Sequence, residues 1–412
     1  MSMYYLVGSG YNQLARCVTT PDASTGLSVA DDVSVLYNGR ADEPYIFSGN
    51  VEIDIDWNQT VNGDFATAFS GGHPGTGWGA VGTPACTKVS NAMQIAGASG
   101  DHYEYFDLSC SAGEVLTVSA FATPPTGAGG FSKIIVRNLE TNATLNGAGV
   151  WVPATTGAAI WHYLPAALGG ALLTTPFTVE PYSTCLEDRV VLRFEFYGGP
   201  GSGPTYPTYD DFFVWPRINF AHVHGHNIPP GATLAYCSSA FVTPTVVAHT
   251  FTVKQPSFYA TFTDQDYRYG RLLLTANPPD GRNVYMWQVT FGQYQTARRS
   301  QDNGFSASLV DTQDRASSDT GPIQAYLRTA RGRRMVDLAF KHTSAADKAE
   351  ALEIMERSRN GALPSIIVTD STDSSSGVLC QMPPTFKLSH IVTSLYASSV
   401  TLDEFAFRNV VE

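Results

Sequence analysis

Along Asn50-Val-Glu-Ile-Asp-Ile-Asp-Trp57 the chain alternates apolar and acidic side chains with a period of two. Val51, Ile53, Ile55 and Trp57 share one side and Glu52, Asp54 and Asp56 the other. That pattern predicts a strand with one face on a core and an acidic face turned outward. Just upstream, Val33-Ser-Val-Leu-Tyr37 predicts a shorter strand, closed by the turn dipeptide Asn38-Gly39. The pattern returns far downstream in Arg217-Ile-Asn-Phe-Ala-His-Val-His224, followed by the turn Gly225-His226-Asn227-Ile228-Pro-Pro-Gly231. Ala232-Thr-Leu-Ala-Tyr236, Ser257-Phe-Tyr-Ala-Thr-Phe-Thr263, Tyr269-Gly-Arg-Leu-Leu-Leu-Thr275 and Val284-Tyr-Met-Trp-Gln-Val-Thr-Phe-Gly292 continue the series. Strands of this length separated by Pro- and Gly-bearing turns predict a β-sandwich.

A second set of strands lies between the two halves of the first. It includes Phe131-Ser-Lys-Ile-Ile-Val-Arg137, Val190-Val-Leu-Arg-Phe-Glu-Phe196 and Tyr209-Asp-Asp-Phe-Phe-Val214. After Gly292 the pattern changes again. Ala325-Tyr-Leu-Arg328 and Arg334-Met-Val-Asp-Leu-Ala-Phe-Lys341 predict strands, and a helix follows over 345–359. Ser344 with Asp347 three residues on makes a capping-box start, good helix formers fill the interior, and Asn360-Gly361 supplies the stop. Leu363-Pro-Ser-Ile-Ile-Val-Thr369 and Val378-Leu-Cys-Gln-Met382 return to strand, with Asp370–Gly377 expected as a flexible hairpin tip.

Composition narrows the class. Across 412 residues, apolar content is 43% and charged content only 15%, and Tyr 20 and Phe 22 add ring-bearing side chains that suit a pleated, half-buried surface. The length calls for two or three domains. A net charge of −12 argues against a nucleic-acid groove, which needs clustered Lys and Arg; the one basic cluster, Arg328-Thr-Ala-Arg-Gly-Arg-Arg334, reads as an exposed turn or subunit contact. No apolar run reaches the ~18 residues that span a bilayer, so no membrane insertion is expected. Met1-Ser-Met-Tyr-Tyr-Leu-Val7 lacks the basic and small-residue features of a secretory signal. Cys17, Cys86, Cys110, Cys185, Cys237 and Cys380 show no CxxC spacing, which argues against zinc and favours buried free thiols, with one disulfide among Cys86, Cys110 and Cys185 as the alternative.

The middle series opens with Asn62-Gly63-Asp64-Phe65, continues with Gly77-Trp78 and closes with Asp210-Asp211 in its last strand. It resembles the jelly-roll carbohydrate-binding modules. The flanking series resembles tail-tip and baseplate proteins of tailed bacteriophages, the distal tail proteins. The matching residues are Asn38-Gly39, Pro44, Phe47, Ile53-Asp54-Ile55-Asp56, Gly225-His226-Asn227-Ile228, Gly231-Ala232 and Arg271-Leu272, in that order. The chain departs from those proteins by carrying a whole module between the Ile53–Asp56 strand and the His226 loop. Together the resemblances imply a mainly β architecture. Residues 1–58 and 217–295 would form a discontinuous discoidin-like sandwich, 59–216 an inserted jelly roll projecting outward, and 296–412 a C-terminal α+β assembly domain.

They also imply a non-enzymatic structural protein of the virion, made in the host cytoplasm and placed at the phage tail tip or baseplate. Its partners would be other tail proteins, further copies of itself in a ring, and a host cell-surface glycan. A capsid decoration or neck protein is the alternative within the structural class, and an enzyme that degrades envelope glycans the alternative outside it. Sugar rings pack their C–H faces on Trp or Tyr, which makes Trp151, Trp161, Tyr163, Tyr103 and Tyr105 the carbohydrate-binding candidates, while Trp78 is read as core. The module resemblance implies a structural calcium held by Asp64 with Asp210 and Asp211. His222, His224 and His226 share one strand face at metal-ligand spacing, but no nearby acid or cysteine completes a set, and they are read as structural. Glu114, Glu140, Glu180, Glu187 and Glu195 contain no pair that the sequence marks as a glycosidase couple, and no nucleophile or phosphate-loop motif is present.

Overall fold

The structure, a computed structural model, describes residues 3–6, 12–17, 22–25, 33–37, 45–47, 50–70, 72–82, 85–96, 103–126, 130–154, 162–165, 171–180, 190–199, 205–237, 245–253, 257–274, 284–298, 306–310, 313–316, 324–327, 333–342, 344–358, 364–381, 387–392 and 395–404. The protein is mainly β, with antiparallel sheets and one α-helix among the described residues. No helix among them is long and apolar enough to cross a membrane. The chain divides into two compact units: Trp57–Arg217, and Met1–Asp56 together with Ile218–Glu412.

In the discontinuous unit the strand Val51–Asp56 buries Val51, Ile53 and Ile55 and leaves its acids half-buried, as its period of two requires. It pairs with Tyr269–Leu274, Asp56 opposite Tyr269 and Val51 opposite Leu274, so sequence on both sides of the insert builds one sheet. The acids do not face open water. Arg268 takes both carboxylate oxygens of Asp56 at 2.8 and 2.6 Å, and Arg271 holds Asp54 in the same forked manner. The strand order of this sheet is Thr245–Thr250, Thr233–Cys237, Tyr269–Leu274, Val51–Asp56, Asp22–Thr25. A four-stranded sheet runs Ser257–Gln265, Ile218–His226, Val284–Gly292, Tyr45–Phe47, again joining chain from both sides of the insert.

Three local expectations change. Val33–Leu36 is a 3-10 turn with the Tyr37 amide bonded to Ser34 O at 3.1 Å. Alternation over so few residues fits a single buried turn as well as a strand, and here it buries Leu36. Tyr4–Leu6, assigned by position to the interrupted sandwich, pairs instead with Pro364–Val368 and Gln295–Thr296 in the C-terminal sheet. The segment Asp370–Gly377 is not a loose tip. Asp370 and Asp373 accept hydrogen bonds from Thr372 and Ser375, and Tyr259 ties the segment down through its amide to Ser374 O and its hydroxyl to Asp370 O.

The helix Ala345–Arg357 begins as predicted. The Ser344 hydroxyl accepts from the Asp347 amide at 3.1 Å, and the Asp347 carboxylate accepts from the Ser344 amide at 3.2 Å. It covers the C-terminal sheet, where Met355 packs with Tyr5, Leu338, Ile367 and Leu402.

The insert is a two-sheet antiparallel sandwich. One sheet runs Trp151–Pro153, Ala143–Leu145, Phe131–Asn138, Val190–Gly199, Tyr103–Cys110, Trp78–Val81, with His162–Pro165 also alongside Phe131–Asn138. The other runs Ala171–Thr178, Val115–Thr123, Thr208–Pro216, Ala92–Ala96, Ala85–Val89. Phe106, Phe194, Phe196, Ile134 and Val136 of the first meet Leu116, Val118, Ile95, Phe212 and Val214 of the second in one core. Trp78 sits inside it, its ring 5.4–5.8 Å from those of Phe65, Phe106, Phe196 and Phe212.

The opening Asn62–Phe65 turn is built for this core. Asn62 and Phe65 adopt positive φ, and the Asn62 amide group binds Pro74 O at 2.7 Å. Gly63 lies so close to the last strand that an added Cβ would stand 1.8 Å from Phe212 O. Entry and exit of the insert are bonded to each other, the Gln59 amide to Val214 O at 2.8 Å, so the host chain closes over a short span at small entropic cost. Replacing 57–217 by a short Gly/Ser linker is therefore expected to leave a soluble β protein with one cooperative thermal transition. Aggregation of that variant would contradict the nested architecture.

Candidate functional site

On the seven-stranded sheet the core takes every second side chain and leaves the others on the opposite face. Register then aligns three rows. Val81, Tyr103, Tyr197 and Lys133 form the first; Gly79, Tyr105, Glu195 and Ile135 the second; Asp107, Arg193 and Arg137 the third. Side chains directly opposite on antiparallel strands are near enough to interact, and here they interlock.

Tyr103 and Tyr197 lie with ring centroids 4.6 Å apart, and Tyr103 and Tyr105 6.2 Å apart. Tyr105 lies across Gly79, where an added Cβ would come within 2.6 Å of the ring and would have to displace it. The Arg193 guanidinium carbon stands 3.7 Å from the Tyr105 centroid, and its Nε and Nη2 grip Asp107 at 2.8 and 2.7 Å. Lys133 Nζ stands 4.3 Å from the Tyr197 centroid. Such cation–ring contacts favour a fixed arrangement of both partners.

Beneath this layer Glu195 has no solvent exposure. Arg137, 25% exposed, grips it at 2.7 and 3.2 Å, and the Tyr197 hydroxyl donates to it at 2.9 Å. Burial, followed by the Glu195 charge, pushes the Tyr197 and Tyr103 hydroxyls above their usual range, so both remain neutral donors at physiological pH. The hydrogen bonds that Arg137 and Arg193 donate to the Glu195 and Asp107 carboxylates push both guanidinium groups upward, keeping them cationic. The resulting face is a set of tyrosines and fixed charges able to hydrogen-bond hydroxyls and to stack, at ring edges and guanidinium planes, on a flat ligand.

Of the residues chosen from sequence, Tyr103 and Tyr105 lie together on this face. Trp151 does not join them. Its indole N–H donates to Thr178 O at 2.8 Å and its ring packs against Phe177 at the edge of the core, which gives it a structural role. The Tyr163 backbone pairs with Lys133, which brings that strand to the first row; its side chain lies outside the described residues, as does the whole of Trp161. Asp64 and Asp210 lie near one another. Burial, then the charges of Asp211 and Asp64, pushes the Asp210 carboxyl upward. Yet Asp64 accepts the Ala66 amide and Asp210 the Asp211 amide, and among the described residues no three of His, Cys, Asp and Glu converge on a common point. A calcium shell of six to eight oxygens is not assembled from these side chains.

His222, His224 and His226 are buried in the strand Ile218–His226. The Ile228 amide donates to His226 Nδ1 at 3.0 Å, and Asn227 exchanges hydrogen bonds with the Tyr285 backbone, which fixes the turn. Cys17, Cys86, Cys110 and Cys380 are free thiols, and burial pushes Cys17 up to about 12; Cys185 and the Cys237 side chain lie outside the described residues. Among the carboxylates weighed for catalysis, Glu114 accepts the Ser111 amide, Glu180 accepts Asn138 and Thr141, and Glu195 is held as above; Glu187 lies outside the described residues.

Lys133, Arg137, Arg193 and Tyr197 were not chosen from sequence as site residues, and Glu195 was weighed only as a catalytic acid. The signal existed, since polar side chains occupy alternate positions of Phe131–Asn138 and Val190–Gly199. Their convergence depends on a register that joins distant segments.

No protein-family model matches the chain and no curated protein sequence resembles it closely. Among solved structures, one described as "CBM4 structure and function" is 17% identical, covers 38% of this chain and 97% of its own, with a TM-score of 0.24. The CBM22-1 xylan-binding domain of Paenibacillus barcinonensis Xyn10C is 15% identical over 37% of this chain and 90% of its own, TM-score 0.24. The Clostridium thermocellum xylanase Xyn10B CBM22-1–GH10 modules give 14% identity, 34% and 26% coverage and 0.23. Likenesses of this size assign no ligand to this chain.

The buried ion pair sets the stiffness of the face. Glu195→Gln is expected to destabilise the insert by about 3 kcal/mol, the low end for a broken buried pair because Arg137 keeps partial access to water. Joint replacement, Arg137→Met with Glu195→Leu, is expected to restore most of that loss in urea titrations. A loss below about 1 kcal/mol for Glu195→Gln would show that the pair is not buried as described.

Proposed function

We propose that the tyrosine-and-charge face of the insert binds a glycan, and that the chain is a structural protein of a tailed-phage tail tip or baseplate which carries this module. The three clustered tyrosines Tyr103, Tyr105 and Tyr197, set in register and clamped by Arg193, Lys133 and Glu195, carry the first part. A preorganised surface of tyrosine rings and fixed charges suits the many hydroxyls of a sugar chain, and its immobilised side chains lose little further entropy on binding.

The second part draws on the completed host sandwich. The segments that resemble distal tail proteins, Ile53–Asp56, the Gly225–Ile228 turn and Arg271–Leu272, belong to one compact unit even though the module separates them in sequence. A ring of copies would give weak individual sites a large joint avidity.

The experiment is adsorption of the full-length protein to cell-envelope polysaccharide of the host, immobilised on a surface. Tyr105→Ala is expected to weaken retention about tenfold or more, with the sedimentation behaviour of the protein unchanged. Equal retention of the variant and the natural protein would remove this face as the binding site.

A further inference from the structure

Resting on the glycan reading of this face, we propose that its ligand is an anionic glycan, a sugar chain bearing carboxylate or sulfate groups. Neutral sugars are usually held by bare aromatic faces on which C–H bonds stack, with a few polar groups around them. This face is differently made. The Tyr105 ring bears the Arg193 guanidinium at 3.7 Å and lies across Gly79, and the Tyr197 ring is approached by Lys133 at 4.3 Å and by Tyr103 at 4.6 Å. Cations take up ring surface that a neutral sugar would need.

Charge and depth point the same way. Three cations, Lys133, Arg137 and Arg193, share the described rows with two carboxylates, Asp107 and Glu195, an excess of positive charge on a chain whose net charge is −12. Within the Arg137–Glu195 pair the cation is the outer partner, since Glu195 has no exposed surface and Arg137 is 25% exposed. In the Arg193–Asp107 pair both groups reach the surface, at 20% and 29% exposure. An approaching ligand meets guanidinium and ammonium groups with one carboxylate, Asp107, already gripped by Arg193. Two nitrogens of each guanidinium are engaged by its carboxylate, and the third nitrogen of Arg137 gives one of its two N–H groups to Asn142 Oδ1 at 3.1 Å, so the plane is pinned while one N–H of that nitrogen remains. A pinned guanidinium beside the neutral Tyr103 hydroxyl is suited to a carboxylate or sulfate on a sugar ring.

The test measures full-length protein by affinity electrophoresis through gels containing polygalacturonate, dextran sulfate or neutral dextran, with a neutral galactan as a second control. Retardation by polygalacturonate or dextran sulfate at least about tenfold stronger than by either neutral polymer, fading between low and physiological salt, is expected. Which anionic gel retards the protein more separates carboxylate from sulfate. Lys133→Gln, a half-buried side chain whose loss leaves the core intact, is expected to weaken that retardation about fivefold. Retardation by neutral polymers alone, or indifference to salt and to Lys133→Gln, would overturn the anionic assignment while leaving the glycan reading in place. If none of these polymers retards the protein, and host polysaccharide fails to retain it as well, both readings fall.

Discussion

Six backbone pairs, from Val51 opposite Leu274 to Asp56 opposite Tyr269, join two stretches of chain that the whole insert separates. Long-range strand pairing of this kind is entropically costly, because the intervening chain must be closed before any contact forms. Two features offset that cost. Ile53 and Ile55 go fully into the core, and the acids opposite them meet Arg268 and Arg271 in forked pairs that fix the register as well as neutralise the charge. The insert is itself closed, its entry segment bonded to its last strand through Gln59 and Val214. The host sheet therefore needs to close a loop whose ends are already brought together.

Within the insert the same economy recurs at the level of side chains. The Asn62–Phe65 turn, the close approach of Gly63 to Phe212 and the burial of Trp78 are all parts of one aromatic core. That core fixes one side of the seven-stranded sheet and so dictates which side chains appear on the other. Glu195 is the pivot of that second face. A fully buried carboxylate must be paired, and pairing with Arg137 and Tyr197 sets the positions of both, after which Tyr103 and Lys133 pack on Tyr197. The layout of this tyrosine-and-charge face thus follows from satisfying one buried charge.

Much of this was legible in the sequence, and the reasons for the failures are physical. Period-two alternation marks Val51–Asp56 clearly, because it has one buried and one half-buried face. The capping box at Ser344 is a local signal, needing only residues three apart. Val33–Leu36 failed because four residues cannot separate a turn from a strand, and Tyr4–Leu6 because a three-residue strand carries no sign of its partner. Trp151 was misleading for a different reason: a large ring at a sheet edge can turn inward or outward, and here the acceptor at Thr178 draws it in. Tyr103 and Tyr105 were found because they are ring-bearing side chains of the module, able to stack on sugars. Arg137, Arg193 and Glu195 were missed because their meaning arises only when three distant strands are set in register.

The measurement that tests the account most directly is a cross-link across the host pairing. Glu52 and Leu273 are register partners on the outward face of their strands. With Glu52→Cys and Leu273→Cys introduced together, mild oxidation followed by mass spectrometry of the digested chain should show a disulfide-linked peptide pair in high yield, absent from either single variant. Two free, alkylatable cysteines under the same conditions, in a protein that remains folded, would mean that the halves flanking the insert do not share a sheet.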